Sequence, residues 1–195
     1  MEIVEKLFMN SNVITNKFAE SLGIKRHTLA SLAKNGLIER VRNGVYKKND
    51  EIYDDFSEIS LKSHRVVFSF HTALYLHGLS DRVPHIYHIS VPQGINSAFI
   101  KQKNDNIVIH YVNRKHFDLG LTNVETVFGS VVKCYDLERT ICDVVKKRRS
   151  IDKQIFVDAI QGYFKRKDKN LARLVKYSTI FGIEDEIRKY SEVLL

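Results

Sequence analysis

The sequence contains no tryptophan, only two cysteines, and no apolar run near the roughly 20 residues that span a bilayer. Each shortage removes a class of protein. Cys134 and Cys142 are too few for a disulfide scaffold and lack the paired spacing of a zinc site, so two ordinary thiols and no structural metal are expected. Glu2, Glu5 and Lys6 stand where a signal peptide would place a basic and then an apolar segment, so a cytoplasmic protein without a membrane partner is expected. Low-complexity tracts and internal repeats are missing too. So are the P-loop, the Rossmann glycine pattern, the Gly-x-Ser-x-Gly elbow and the metalloprotease motif, which leaves no cofactor to expect and no complete catalytic set.

What is present has an ordinary globular balance, 44% hydrophobic and 28% charged over 195 residues, enough for a small module joined to a larger domain. The net charge of +8 is unevenly placed. Between Lys25 and Lys48 lie Lys25, Arg26, Lys34, Arg40, Arg42, Lys47 and Lys48 against Glu39 alone, whereas the preceding segment sets Lys6 and Lys17 against Glu2, Glu5 and Glu20. A positive block behind a slightly acidic one suits contact with nucleic acid, although a solvated surface run has the same composition.

Hydrophobic spacing gives that block a shape. Ile3, Val4, Leu7 and Phe8 predict a first helix, broken at Asn10 to Asn12. Thr15 is placed to cap a second, with Phe18, Ala19 and Leu22 inward and Gly23 as its stop. A third, from about Lys25 to Asn35, turns Leu29, Leu32 and Ala33 to the core and ends at Asn35-Gly36. Ala19 and Gly23 supply the small residue and the positive-φ turn that two steeply crossing helices need. The third helix then presents Lys25, Arg26, His27, Thr28, Ser31 and Lys34 outward, as a major-groove reader would. Leu37 to Tyr46 flank Asn43-Gly44, which predicts a type I′ hairpin with Arg40, Arg42, Lys47 and Lys48 along the DNA backbone. Residues 1–48 are therefore predicted to form a winged helix-turn-helix.

The acidic, weakly patterned residues 49–63 read as a connector carrying Asp50, Glu51, Asp54, Asp55 and Glu58. Residues 64–195 read as α+β with a helical end. Ser69 is expected to cap a helix ending at Gly78; Ile86 to Val91 and Ile107 to Val112 are expected strands around a polar loop, Pro92 to Asn106. Val124 to Phe128 and Val131 to Tyr135 flank Gly129-Ser130 as a hairpin. Asp136, Asp152 and Asn170 start helices, the last of these stopped by Gly182, and a final helix runs from Ile183 toward Leu195. Lys146, Lys147, Arg148 and Arg149, then Lys165, Arg166, Lys167 and Lys169, form basic clusters at helix ends, either a second functional surface or cations facing the helix dipole.

TALYLHGLSD (Thr72 to Asp81), HISVP (His88 to Pro92) and ERTICDVV (Glu138 to Val145) resemble the AbiEi antitoxins of bacterial abortive-infection toxin–antitoxin pairs, which act in phage resistance. That resemblance implies a repressor of its own operon, bound to double-stranded operator DNA in inverted repeats. It also implies opposition to a nucleotidyltransferase toxin, AbiEii, encoded beside it. Read from the residues alone, Glu138 favours the positive end of a helix and Arg139 is spaced to pair with Asp143. Gly129-Ser130 followed by Asp136 and Glu138 is too tightly spaced for a nucleotidyltransferase site. His71, His77, His85 and His88 have no Cys beside them, and His71 and His77 fall on different helix faces, so no metal is expected there. A regulator is expected rather than an enzyme; the alternative is a nuclease or nucleotidyltransferase-like enzyme targeted by the winged helix, which metal-dependent turnover would reveal.

Overall fold

The computed structural model describes residues 2–101 and 105–194. The chain divides into two compact units, Met1–Val66 with Asn123–Val132, and Val67–Thr122 with Lys133–Leu195.

In the first unit α1 (Glu2–Leu7), β1 (Val13–Thr15), α2 (Asn16–Ser21), α3 (Arg26–Lys34), β2 (Ile38–Arg42) and β3 (Val45–Lys48) follow the order of a winged helix. Leu7, Ile14, Ala19, Leu29, Ile38 and Tyr46 close its core. Thr15 caps α2 by accepting from the Phe18 amide at 3.1 Å. Ala19 has no exposed surface, and its carbonyl accepts from the Ile24 amide at 2.9 Å across the turn where Gly23 takes φ +79°. The small residue and the glycine thus stand where two crossing helices require them. Strand β1 is an addition to the sequence reading, because three residues are too short to show a period; it pairs antiparallel with β3, giving the order β1-β3-β2.

The wing turn differs from the expected type I′. That type needs positive φ at both central residues, and here Gly44 has φ +77° while Asn43 does not enter that region. The register of β2 against β3 also shifts between Arg40 and Arg42.

Residues 49–63 hold a helix, α4 (Asp55–Leu61), where a connection was expected. Asp54 caps it, accepting from the amides of Phe56 at 2.9 Å and Ser57 at 3.3 Å, and Phe56 and Ile59 are buried. The other Asp54 oxygen accepts from Thr126 Oγ1 at 2.7 Å, and the Asn12 amide donates to Ser130 Oγ at 3.1 Å. These bonds tie the distant segment 123–132 into the first unit.

The second unit follows with β4 (Val67–Phe68), α5 (Phe70–Leu76), β5 (Tyr87–Pro92), α6 (Ala98–Lys101), β6 (Ile107–Val112) and α7 (Arg114–Phe117). After these come β7 (Leu121–Glu125) and β8 (Val131–Tyr135), whose turn belongs to the first unit, then α8 (Leu137–Lys146), α9 (Lys153–Lys165), α10 (Leu171–Phe181) and α11 (Glu184–Leu194). The five-stranded sheet has the order β6-β5-β4-β8-β7, with β5 antiparallel to β4 and parallel to β6. Leu74, Ile141, Val144, Tyr163, Leu174 and Ile187 form the core shared by α5 and the C-terminal helices. Asp136, Asp152 and Asn170 cap α8, α9 and α10, and Gly182 ends α10 in the left-handed region.

Three local expectations are corrected. Ser69 does not cap α5 through its side chain, which instead accepts from Ser90 Oγ at 2.9 Å. The stretch read as a loop from Pro92 to Asn106 contains α6, held by the buried Ile100; its residues 102–104 lie outside the described residues, as does Leu195 of the last helix. The hairpin turn is longer than Gly129-Ser130, because β7 already ends at Glu125 and the Thr126 amide donates to the Ser130 carbonyl at 2.8 Å. Helices and strands are mixed, and the chain is α+β with an N-terminal winged helix-turn-helix.

Candidate nucleic-acid interface

Helix α3 buries Leu29 and leaves Arg26, His27, Ser31 and Lys34 exposed, with Lys25 exposed at its N-cap. Thr28 is half-buried, so it is the least available of the expected contacts. Lys25 makes no side-chain capping bond, and the Thr28 amide donates instead to the Lys25 carbonyl at 3.0 Å. Arg26 pairs with Glu20 of α2 at 2.5 Å, and this neighbour raises its pKa. Both partners are largely exposed, so the pair is screened by solvent and yields readily to a competing anion.

The wing separates its cations into two kinds. Arg40 is exposed, bonded to Asn43 Oδ1 at 2.8 Å within the same hairpin. Arg42 turns the other way, donating to the buried carboxylate of Glu58 on α4 and to Tyr53 Oη at 3.0 Å. Lys47 is also engaged, at 2.8 Å from Glu39 and from the Glu51 carbonyl, and Lys48 lies 3.8 Å from Glu51. The sequence pattern sets all four alike along the DNA backbone, without separating the exposed Arg40 from the engaged Arg42 and Lys47. Glu58 is sixteen residues from Arg42, beyond any local pattern that would have revealed the pairing.

Residues 2–46 match the family model of the transcriptional regulator, AbiEi antitoxin. The N-terminal module is AbiEi-like. The match runs from α1 into β3 and so contains the whole exposed face of α3. Over a longer span the chain is similar to the crystal structure of the RV2827C protein from Mycobacterium tuberculosis, with a TM-score of 0.52 and 13% identity, covering 91% of this chain and 70% of that one. At that identity the likeness is one of fold. No curated protein matches the sequence.

Beyond the AbiEi-like module, α8 holds the expected Arg139–Asp143 pair, at 3.0 Å. Arg139 Nη1 also donates to the carbonyls of His116 at 2.8 Å and Leu119 at 3.0 Å. Glu138 accepts from the Asn170 amide at 2.8 Å, and Asp136 accepts from the Arg139 amide at 2.8 Å and from Tyr177 Oη at 3.0 Å. These carboxylates join elements of the second unit, and no group of three His, Cys, Asp or Glu side chains among the described residues is arranged to hold a metal. Cys134 and Cys142 are buried, free thiols, and burial pushes Cys142 up to about 12. Of the C-terminal cations, Lys146, Lys147, Arg148 and Arg149 are exposed at the end of α8. In the next cluster Arg166 is held by Asp168 at 2.7 Å and by the His77 carbonyl at 2.9 Å, and Lys169 donates to the Arg166 carbonyl, whereas Lys165 and Lys167 are exposed. No helix among the described residues is long and apolar enough to cross a membrane.

Proposed function

We propose that the chain is a sequence-specific DNA-binding repressor that autoregulates a toxin–antitoxin operon and serves as antitoxin to an AbiEii-like nucleotidyltransferase toxin, acting in the cytoplasm without catalysis of its own. The observation that carries this reading is the exposed face of α3, where Lys25, Arg26, His27, Ser31 and Lys34 stand on a helix whose opposite side is anchored by Leu29. A helix so presented enters the major groove, where Arg and Lys reach guanine edges. Arg40 supplies the backbone contact beside it, and Arg42 fixes the wing to α4 so that Arg40 is held in place. Lys146 to Arg149 with Lys165 and Lys167 form a second basic surface for DNA outside the groove or for an acidic partner. The antitoxin part of this reading is supported by the match of residues 2–46 to the AbiEi antitoxin regulators, and the inverted-repeat operator by the family resemblance alone. The test is selection of bound sites from a random duplex pool by the full chain, followed by titration of the DNA upstream of its gene. Recovery of a defined motif present in that DNA is expected; equal affinity for all sequences overturns the reading.

A further inference from the structure

A cavity of about 520 Å³ lies wholly within the second unit, between the C-terminal part of β6, α7, α8 and the end of α10, and it shares only Lys146 and Lys147 with the surfaces of the DNA-binding reading. Its size falls in the range of small-molecule sites, roughly 300–1,000 Å³, far above what a bare tetrahedral anion fills. Arg139, Lys146 and Lys147 line it against one carboxylate, Asp143, which is already paired with Arg139.

Arg139 is built as a recognition group rather than a surface cation. It is 2% exposed, and its guanidinium is held between the rings of Tyr135 and Phe181, each centroid 4.3 Å from Cζ. Nε is taken by Asp143 and Nη1 by two carbonyls, so Nη2 is the donor left for the cavity that Arg139 lines. Plane and direction are therefore fixed before any ligand arrives, the condition under which Arg binds phosphate oxygens best. A second observation comes from the facing wall. Phe70 has φ +49°, a region that bulky residues avoid and that concentrates at ligand sites. Its ring is set against His110, with centroids 4.1 Å apart. Burial, then Lys147, then His71 hold His110 down to about 4, so near neutral pH this wall is uncharged and aromatic.

We propose that this cavity is a binding site for a nucleoside phosphate, the phosphate taken by Arg139 Nη2 with Lys146 and Lys147, and the base by the wall of Phe70 and His110. A ligand with an anionic end and a flat, weakly polar end matches both halves of the lining, which neither inorganic phosphate nor an uncharged nucleoside does.

The experiment is calorimetric titration of the full chain, without DNA, with AMP, ATP, adenosine, inorganic phosphate and a 5′-phosphorylated trinucleotide. A nucleotide is expected to bind at least tenfold more tightly than adenosine or inorganic phosphate. Lys147→Ala and Lys146→Ala, both at exposed positions that leave the core intact, are each expected to weaken it on the order of tenfold. Lys176→Ala and Lys189→Ala, exposed cations away from the cavity, are expected to leave it unchanged. No binding at millimolar nucleotide, equal affinity for inorganic phosphate, or equal weakening by the remote lysine variants overturns the proposal. Tighter binding of the trinucleotide than of AMP moves the ligand to a nucleic-acid end and overturns the free nucleotide.

Discussion

Helix α3 exposes Arg26, His27, Ser31 and Lys34 along nine residues, whereas α8 buries Glu138, Arg139 and Asp143 along ten. The two helices use charge for different ends. On α3 the cations have little to do with folding: Glu20 holds one of them, at the surface, while Leu29 on the other side carries the packing. On α8 each charge satisfies something internal: Glu138 accepts from the amide of Asn170, the cap of α10, and Arg139 ties down the carbonyls around α7. Charge left exposed at no structural cost is available to a ligand, and charge buried with partners is scaffolding unless, like Arg139, it keeps a donor spare.

The contrast breaks most visibly at Arg139. Replacing it by Ala strands Asp143 and two backbone carbonyls, and a loss of about 3–5 kcal/mol is expected by chemical denaturation. A variant of unchanged stability would show that α8 does not depend on its charges. Next in size is the combined Lys25→Ala, Arg26→Ala, Lys34→Ala variant. Its thermal midpoint should stay close to that of the parent, while operator affinity falls on the order of tenfold to a hundredfold for each base that is no longer read. Retention of full affinity, measured by fluorescence anisotropy, would remove α3 from the interface.

The wing sharpens the same comparison within a single strand. Arg42→Ala leaves the Glu58 carboxylate buried without its guanidinium and is expected to cost about 1–3 kcal/mol of stability. Arg40→Ala should leave stability unchanged and reduce the slope of log K against log salt by roughly 0.9, with no change in base preference. An exchange of these two phenotypes would mean that the wing faces the other way. The smallest effect expected is a pH dependence from the second unit. His88 and His110, with ring nitrogens 3.0 Å apart, are both lowered to about 4 from 6.5, by burial first and then by neighbouring positive groups. A depressed folded pKa favours the neutral ring, so this stability is present above pH 6.5 and is lost as pH falls toward 4. Thermal midpoints measured across that window should decline, and less steeply in His88→Gln and His110→Gln.

Helices with a long apolar stripe or a side-chain cap were legible in the sequence. Leu29 and Leu32 on α3, and the capping residues Asp136, Asp152 and Asn170, fix their elements through neighbours two to four positions away. Strands β1 and β4, of three and two residues, carry no period and exist because β3, β5 and β8 pair with them. Helix α4 was hidden by its own acidity: Asp54 and Glu58 look like connector residues until Thr126 and Arg42 are brought to them. The exposed face of α3 was legible for the same local reason as the helix itself. The division of labour between Arg40 and Arg42 was not, nor was the cavity, whose Phe70, His110 and Arg139 come from three separate stretches of chain.

The turn that joins β7 to β8 belongs to the first unit although both strands lie in the sheet of the second, so the chain passes between units three times, after Val66, Thr122 and Val132. A gene fragment ending at residue 66 therefore does not encode a complete winged-helix unit: it omits Thr126 and Ser130, the partners of Asp54 and Asn12. A single proteolytic cut after Val66 would not release that unit either, because the hairpin still threads through it. The winged-helix unit is thus encoded by two separate segments, residues 1–66 and 123–132, and transplanting it into another chain requires moving both together.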